Sequence, residues 1–211
     1  LFIISFIILI KIYIFILMII IEHRVNTKIK LLKTSQANGV EIDLRTHKKE
    51  IILSHDPFKN GISLKEWLKF FDHNFLVLNV KEEGLESEIL HLLNKNNIEK
   101  FFFLDQSFPS IIKSIESNEK RCAIRTSEYE SIETAISLSG KVEWIWIDYF
   151  SKFPLNLKKL QLLKELGFKL CIVSPELQNY NLNSVKDLKS KLQSINFQYD
   201  AVCTKYPELW K

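Results

Sequence analysis

The chain has 211 residues, of which 46% are hydrophobic and 26% are charged, which is enough for one sizeable core and short for two domains. Its formal net charge of +4 is small and its lysines are scattered, which argues against a nucleic-acid-binding protein, because such proteins concentrate Lys and Arg on one face. Three cysteines without CxxC spacing, each inside an apolar run, predict buried free thiols and favour a reducing compartment.

The first 21 residues are apolar except for Ser5 and Lys11, which matches the length of a membrane span. Residues 1–16 are therefore either a membrane anchor or a misassigned start, since the chain begins with Leu. A further interpretation makes "FILMIII" a buried first strand, and an anchor could lead into that strand. If the segment spans a membrane, the basic residues after it predict a domain on the cytoplasmic side: His23, Arg24, Lys28, Lys30 and Lys33.

Beyond residue 16, short β-branched or aromatic runs alternate with longer segments of helical period, as in βα units. Strands are predicted at residues 17–22, 39–44, 50–54, 75–80, 101–104, 121–125, 143–147, 168–173 and 200–203. Helices are predicted at residues 63–71, 85–97, 108–117, 128–139, 155–166 and 184–195. With 39–44 and 50–54 taken as one hairpin-like arm, eight strands remain, which predicts a compact, single-domain (β/α)8 TIM barrel of the α/β class over residues 17–211.

Acidic residues lie on the second predicted strand, near the end where a parallel barrel carries its active site. Glu41 and Asp43 are two positions apart, so their side chains point to the same side of the strand. Two hard oxygen ligands at this spacing suit Mg²⁺ or Ca²⁺, although an exposed acidic strand would show the same pattern.

Two histidines also follow predicted strands, His23 after the first and His55 after "IILS". Imidazoles titrate near neutral pH, so a pair of them can act as general base and general acid. Arg24 and Lys81 add positive charges of the kind that bind phosphate.

In order, these motifs resemble those of the glycerophosphodiester phosphodiesterases and the wider phosphatidylinositol-phospholipase-C-like phosphodiesterases. The resemblance rests on "EHRVNT" (22–27), "GVEIDLRT" (39–46), "ILSHD" (52–56), "LNVK" (78–81) and "YDAVCTKYP" (199–207). It implies a TIM barrel that acts in lipid metabolism as a phosphoric diester hydrolase, cleaving a glycerophosphodiester or a related phosphorylated alcohol.

The resemblance also implies a role for each matching residue. By it, His23 and His55 would be the acid-base pair, with Asp56 orienting His55. Arg24 and Lys81 would contact the substrate phosphate. The ligands of a divalent metal, Mg²⁺ or Ca²⁺, would be Glu41, Asp43 and Asn79. The expected partner is a small-molecule phosphodiester rather than a nucleic acid, with membrane association through residues 1–21 if these form an anchor.

Two positions depart from the family pattern. Asn79 stands where the family usually has a third carboxylate, and Val25 stands where it has glycine. An amide oxygen can ligate the metal but lacks the negative charge, which should weaken the site. The alternative function is therefore a non-catalytic barrel that binds a phosphate ligand.

Several other polar and aromatic residues have simpler interpretations. We expect His47, His73 and His91 to be surface or structural residues. Trp144 and Trp146 are expected to fill the barrel. Arg125 could reach a phosphate or a carboxylate, and Glu128 could be a first-turn acid of a helix.

Overall fold

The computed structural model describes residues 18–211. The hydrophobic segment 1–16, with its alternative interpretations, lies outside the described residues. Within residues 18–211, no helix combines the length and the apolar character needed to cross a membrane.

The described chain forms an eight-stranded parallel barrel with one extra strand. The strands are β1 (Ile19–Glu22), β2 (Gly39–His47), β3 (Glu50–Leu53), β4 (Phe75–Val80), β5 (Phe101–Leu104), β6 (Ala123–Thr126), β7 (Trp144–Ile147), β8 (Lys169–Val173) and β9 (Ala201–Thr204). All except β3 pair in the order β5-β4-β2-β1-β9-β8-β7-β6. A parallel bridge between Phe103 and Cys122 joins β5 to the chain entering β6 and nearly closes the barrel. The predicted α/β barrel is confirmed.

Seven α-helices alternate with these strands in the described residues: α1 (Lys28–Lys33), α2 (Leu64–Leu68), α3 (Glu86–Lys95), α4 (Phe108–Glu116), α5 (Ile132–Ser137), α6 (Leu157–Glu165) and α7 (Leu182–Ser194). Short 3₁₀ turns cover Pro175–Gln178 and Pro207–Leu209. Six of the helices were predicted, five with longer bounds than observed and α7 with bounds shifted by one or two residues at each end.

Helix α1 was not predicted. Thr27 caps it by accepting a hydrogen bond from the backbone N–H of Lys30 at 3.2 Å. Leu31 is its single buried residue, while Ile29 and Leu32 are exposed. A six-residue helix with so narrow a buried side lacks the apolar periodicity on which the other predictions rest.

Strands β2 and β3 form the predicted arm. They pair antiparallel from Leu44 opposite Leu53 to His47 opposite Glu50. The backbone N–H of Ser54 then donates to the carbonyl of Asp43 at 3.0 Å. The chain therefore returns from the arm to the level of the barrel, and the residue after Ser54 lies at the mouth.

The interior of the barrel is apolar and aromatic below its mouth. Trp144 packs against Phe102, with 4.7 Å between ring centroids, and against Phe75, with 5.4 Å. Trp144 and Trp146 are buried in this cluster, which confirms that they fill the barrel. Cys171 and Cys203 line the same interior. All three cysteines are buried and free, as predicted.

Glu128 joins the loop after β6 to the loop after β7 through hydrogen bonds. Its carboxylate accepts hydrogen bonds from the Ser151 hydroxyl at 2.7 Å, the Lys152 N–H at 3.1 Å and the Phe150 N–H at 3.4 Å. Helix α5 begins only at Ile132, after its cap Ser131. The prediction that Glu128 is a first-turn acid was therefore wrong, because the residue bonds the neighbouring loop instead.

Replacing Trp144 by alanine should destabilise the protein by about 3–5 kcal/mol, because the barrel interior cannot collapse around so large a cavity. Urea unfolding followed by circular dichroism measures the loss. Leu162→Ala is the control: Leu162 is 38% exposed on α6, and its loss should change the free energy of unfolding by about 0.5 kcal/mol or less. Similar losses in both variants would contradict the assignment of Trp144 to the core.

Replacing Glu128 by glutamine should reduce stability in a pH-dependent way. Burial acts to raise the pKa of Glu128, but the Ser151 hydroxyl and backbone N–H groups lower it to about 2 from 4.5. The folded-state pKa is lower than the unfolded one, so this stabilisation is full above pH 4.5 and lost as pH falls toward 2. The difference in unfolding free energy between wild type and Glu128→Gln should therefore shrink over that window.

Urea unfolding at a series of pH values tests this expectation. Ser151→Ala removes one donor and should give a smaller loss with the same pH profile. A difference between wild type and Glu128→Gln that stays constant from neutral to acidic pH would refute the role assigned to Glu128.

Candidate active site

Two buried carboxylates of β2 lie at the centre of the barrel mouth. Glu41 and Asp43 are each 1% exposed, because β2 is flanked by β1 and β4 and both side chains point inward. The Arg24 N–H donates to Glu41 Oε2 at 2.6 Å, and the Asn79 amide nitrogen donates to Glu41 Oε1 at 2.9 Å. Burial, followed by the nearby charge of Asp43, raises the pKa of Glu41 to about 7.

Asp43 is enclosed by groups of positive or donor character. The Asn26 amide nitrogen donates to its Oδ2 at 2.8 Å, and Asn26 Oδ1 accepts the Asp43 N–H at 2.9 Å. Arg24 Nε lies 3.8 Å from Oδ2, and Lys81 Nζ lies 3.5 Å from Oδ1. Sequence reasoning missed the role of Asn26, although the residue belongs to the quoted motif "EHRVNT".

His23 lies at the end of β1 and faces the same carboxylates. Its backbone N–H donates to the carbonyl of Thr204 at 3.0 Å, and its Nε2 lies 4.0 Å from Glu41 Oε2. Its pKa is lowered to about 3 by burial and then by the charges of Arg24, Lys205, Lys30 and Lys81. The ring is therefore neutral at neutral pH.

Arg24 connects His55 to this centre. Its Nη2 lies 2.5 Å from His55 Nε2, and His55 Nδ1 lies 2.8 Å from Asp56 Oδ1. Since an arginine side chain can only donate, Nε2 accepts this bond and Nδ1 donates to Asp56. Asp56 thus contacts His55 in the way that an orienting residue would.

The backbone of Arg24 is strained, with a φ of 54° in the left-handed region. This conformation turns two successive N–H groups toward Glu41: that of Arg24 to the side chain at 2.6 Å, and that of Val25 to the backbone carbonyl at 2.7 Å. Strain of this kind concentrates at functional sites, where the surrounding contacts maintain it.

Lys81 links the β1–β4 half of the mouth to a second charged cluster. Its Nζ lies 3.1 Å from Asp105 Oδ2. Arg125 forms ion pairs with Asp105 and with Asp148, which is buried. Although burial acts to raise the pKa of Asp105, the charges of Arg125 and Lys81 hold it below its usual range. The sequence allowed Arg125 to reach either a phosphate or a carboxylate. In the structure it contacts carboxylates of the protein itself.

The oxygen atoms at the centre suit a hard divalent cation. Asp43 and Asn79 are register partners on β2 and β4, and each has a buried Oδ1 without a hydrogen-bond partner among the described residues. Such oxygens are costly unless a cation or water satisfies them. Within residues 18–211, no three His, Cys, Asp or Glu side chains are grouped so that they could hold a metal ion, so a cation at this centre would need the amide oxygen of Asn79 as a further donor.

Seven residues selected from the sequence therefore meet at one mouth, through direct contacts or through Arg24: His23, Arg24, Glu41, Asp43, His55, Asn79 and Lys81. Their individual roles stay predictions.

The sequence reasoning also missed Lys30 as a residue of this site. Its Nζ donates to the carbonyls of His23 at 2.5 Å and Arg24 at 3.2 Å. It comes from α1, and the periodicity gave no sign of that helix. His73, which the sequence predicts to be a surface or structural histidine, has its Nε2 3.3 Å from the carbonyl oxygen of Thr34.

No protein-family model matches the sequence, and a comparison with curated proteins finds no match either. The solved structures that are similar to this chain include the following three. A proposed glycerophosphodiester phosphodiesterase from Galdieria sulphuraria is 16% identical with a TM-score of 0.65, covering 92% of this chain and 96% of its own. A glycerophosphoryl diester phosphodiesterase from Parabacteroides distasonis is 14% identical with a TM-score of 0.62, covering 92% and 85%. A glycerophosphodiester phosphodiesterase from Agrobacterium tumefaciens is 11% identical with a TM-score of 0.60, covering 92% and 98%.

These likenesses extend over nearly the whole described chain at low sequence identity. They confirm the resemblance at the level of the fold: the chain has the fold of the glycerophosphodiester phosphodiesterases.

Proposed function

We propose that the chain is a phosphodiesterase that hydrolyses a glycerophosphodiester or a related phosphorylated alcohol. The observation that carries the proposal is the meeting of two histidines, two cations and two buried carboxylates at one barrel mouth. The similarity in fold to three glycerophosphodiester phosphodiesterases supports it.

His23 is the general base of this proposal. Its ring is neutral at neutral pH, because burial and the surrounding cations lower its pKa to about 3. It is therefore unprotonated when substrate binds, and in this proposal it takes the proton of the water or substrate hydroxyl that attacks the phosphorus atom. Glu41, whose Oε2 lies 4.0 Å from Nε2, stabilises the imidazolium that forms.

His55 is the general acid. In the structure the Arg24 guanidinium donates a hydrogen bond to its Nε2. When the guanidinium turns to bind two phosphoryl oxygens, Nε2 becomes free and takes up a proton from solvent. Asp56, in contact with Nδ1, then stabilises the charged ring, and Nε2 protonates the leaving alcohol.

Arg24 and Lys81 supply the charge that binds the phosphate. Arg24 is 46% exposed and so is accessible to a substrate. Lys81 is less exposed and is held between Asp43 and Asp105, which fixes its position. A fixed cation such as Lys81, at a site where negative charge develops, favours the transition state over the ground state.

Glu41, Asp43 and Asn79 would hold a Mg²⁺ or Ca²⁺ ion. When bound, such an ion would stabilise negative charge on the phosphoryl oxygens. The unpaired Oδ1 atoms of Asp43 and Asn79 support this assignment.

One observation favours the second candidate function, a non-catalytic barrel that binds a phosphate ligand. The Asn79 amide nitrogen donates to Glu41 Oε1, at a position where a third carboxylate would instead add negative charge. A weakened metal site would leave the cations of the mouth able to bind phosphate without turnover.

His23→Ala and His55→Ala should each reduce hydrolysis by about 100-fold or more, because each removes one proton-transfer group. The measurement is alcohol release from a panel of phosphodiesters, including glycerophosphodiesters, with Mg²⁺ or Ca²⁺ present. His91→Ala, an exposed change on α3, is the matched control and should retain full activity. Turnover that survives both active-site substitutions, or no turnover by the metal-loaded wild type, would refute the phosphodiesterase proposal.

Asn79→Asp should bind Mg²⁺ or Ca²⁺ roughly tenfold more tightly than the wild type, because it adds a negative ligand to the set. Calorimetric metal titration measures the change, and Asn94→Asp on α3 is the control for added charge alone. Equal affinities of the Asn79→Asp variant and the wild type would show that Asn79 is not a ligand. Tight stoichiometric binding by the wild type would count against the non-catalytic alternative.

A further inference from the structure

The turn that follows β1 carries two residues of the proposed mechanism, His23 and Arg24. Arg24 has a φ of 54°, in the left-handed region that residues other than glycine adopt only at an energetic cost. Such a conformation persists only where the surrounding contacts maintain it. The contacts that hold this turn therefore fix the backbone from which the His23 imidazole and the Arg24 guanidinium project.

The N–H groups of the turn are bonded to two strands. The N–H of His23 donates to the carbonyl of Thr204, in β9, at 3.0 Å. The N–H of Arg24 donates to Glu41 Oε2 at 2.6 Å. That of Val25 donates to the Glu41 carbonyl at 2.7 Å. These bonds satisfy the donors of the turn, so its carbonyls need partners from elsewhere.

Lys30 supplies the partner for two of these carbonyls. Its Nζ donates to the carbonyl of His23 at 2.5 Å and to that of Arg24 at 3.2 Å. No backbone N–H in the described part of the chain donates to either oxygen. The third carbonyl, that of Val25, accepts a hydrogen bond from Trp67 Nε1 at 3.1 Å. Every backbone polar group of the turn thus has a partner, and a single side chain serves two of them.

The main chain of Lys30 is itself fixed in α1. Its N–H donates to Thr27 Oγ1 at 3.2 Å, and its carbonyl accepts the Thr34 N–H at 3.0 Å. Thr34 Oγ1 donates to Glu22 Oε2 at 2.9 Å, which ties the end of the helix to the last residue of β1. The buried side chain of Leu31 adds the apolar contact of the helix. The ammonium of Lys30 therefore reaches the turn from a fixed point.

The chemistry of the Lys30 ammonium suits this task. Burial lowers its pKa, while the charges of Glu22 and Glu41 act to raise it, so the group is partly withdrawn from water. An ammonium has three N–H donors and can serve two carbonyls at once. Hydrogen bonds from a charged donor are also stronger than those between neutral groups. Lys30 can therefore maintain a backbone conformation that the residue type at position 24 disfavours.

We propose that Lys30 is a positioning residue that holds the left-handed turn at Arg24 and thereby directs His23 and Arg24 into the barrel mouth. Glu41 binds the N–H groups of the turn from β2, and Lys30 binds its carbonyls from α1. Helix α1 then contributes to the active site as well as connecting β1 to β2. The effect of Lys30 on hydrolysis rests on the proposed function, whereas its hold on the turn does not.

Lys30→Met tests this role in the full chain, because it removes the ammonium and keeps an unbranched side chain that favours a helix. The first measurement is hydrogen exchange of the Arg24 and Val25 amides, resolved by NMR. The second is kcat, per folded molecule, for the phosphodiester that the wild type cleaves fastest. Lys28→Met is the matched control: it makes the same change on the same helix, where Nζ lies 3.6 Å from the centroid of the Phe70 ring.

In Lys30→Met, the two amides should exchange roughly tenfold faster and kcat should fall roughly tenfold, because the turn loses the donor for two carbonyls. Lys28→Met should leave both quantities unchanged. Lys30→Arg keeps a cationic donor and should recover part of the amide protection and part of kcat.

Wild-type exchange at both amides in Lys30→Met would overturn the proposal. An unchanged kcat together with a lower urea midpoint would also overturn it, since a purely structural residue gives that result. Faster exchange in Lys30→Met, in a protein whose wild type hydrolyses no phosphodiester, would retain the hold of Lys30 on the turn and refute the proposed function alone.

Discussion

The burial of two carboxylates on one strand is the constraint on which the rest of this site depends. Glu41 and Asp43 face the barrel interior two residues apart, and a buried charge is tolerated only when hydrogen bonds and opposite charges compensate it. Each neighbour supplies part of that compensation. The backbone N–H of Arg24 donates to Glu41, and its guanidinium lies near Asp43. Asn26 also donates to Asp43, and Lys81, after the neighbouring strand β4, adds a positive charge beside it. The compensation is incomplete, since burial raises the pKa of Glu41 to about 7 and one oxygen of Asp43 has no hydrogen-bond partner in the described chain.

The charged side chains are paired differently in the two halves of the mouth. On the β5–β7 side, Arg125 is neutralised by Asp105 and Asp148 and is not free to bind a ligand. On the β1–β4 side, the histidines and Arg24 face the opening, and Lys81 joins the two halves. The guanidinium of Arg24 on the β1–β4 side is 46% exposed, so an anion entering the mouth would meet an accessible cation there.

Most strands were predictable because they are buried on both faces, and such strands are continuous apolar runs: "FFFL" and "WIWI" are β5 and β7. The polar residues at their ends were identifiable because β-strand geometry puts positions i and i+2 on one side. Prediction failed where short local contacts decide the structure. Helix α1 has one buried residue, and Glu128 bonds a loop more than 20 residues away in sequence, which no local pattern reveals. Asn26 and Lys30 were missed because their partners lie on other elements or accept through backbone carbonyls.

By itself, the sequence determined the alternation of strands and helices, the filling of the barrel by Trp144 and Trp146, and the set of polar residues at the strand ends. These features follow from periodicity and burial, which are local properties of the chain. The tertiary structure decided which of those polar residues are neighbours and what state they are in. That His23 is neutral, that Arg24 holds His55, and that Arg125 is occupied by carboxylates all depend on charges brought together from distant segments. Electrostatic interactions act through space, so only the closed barrel sets their strength.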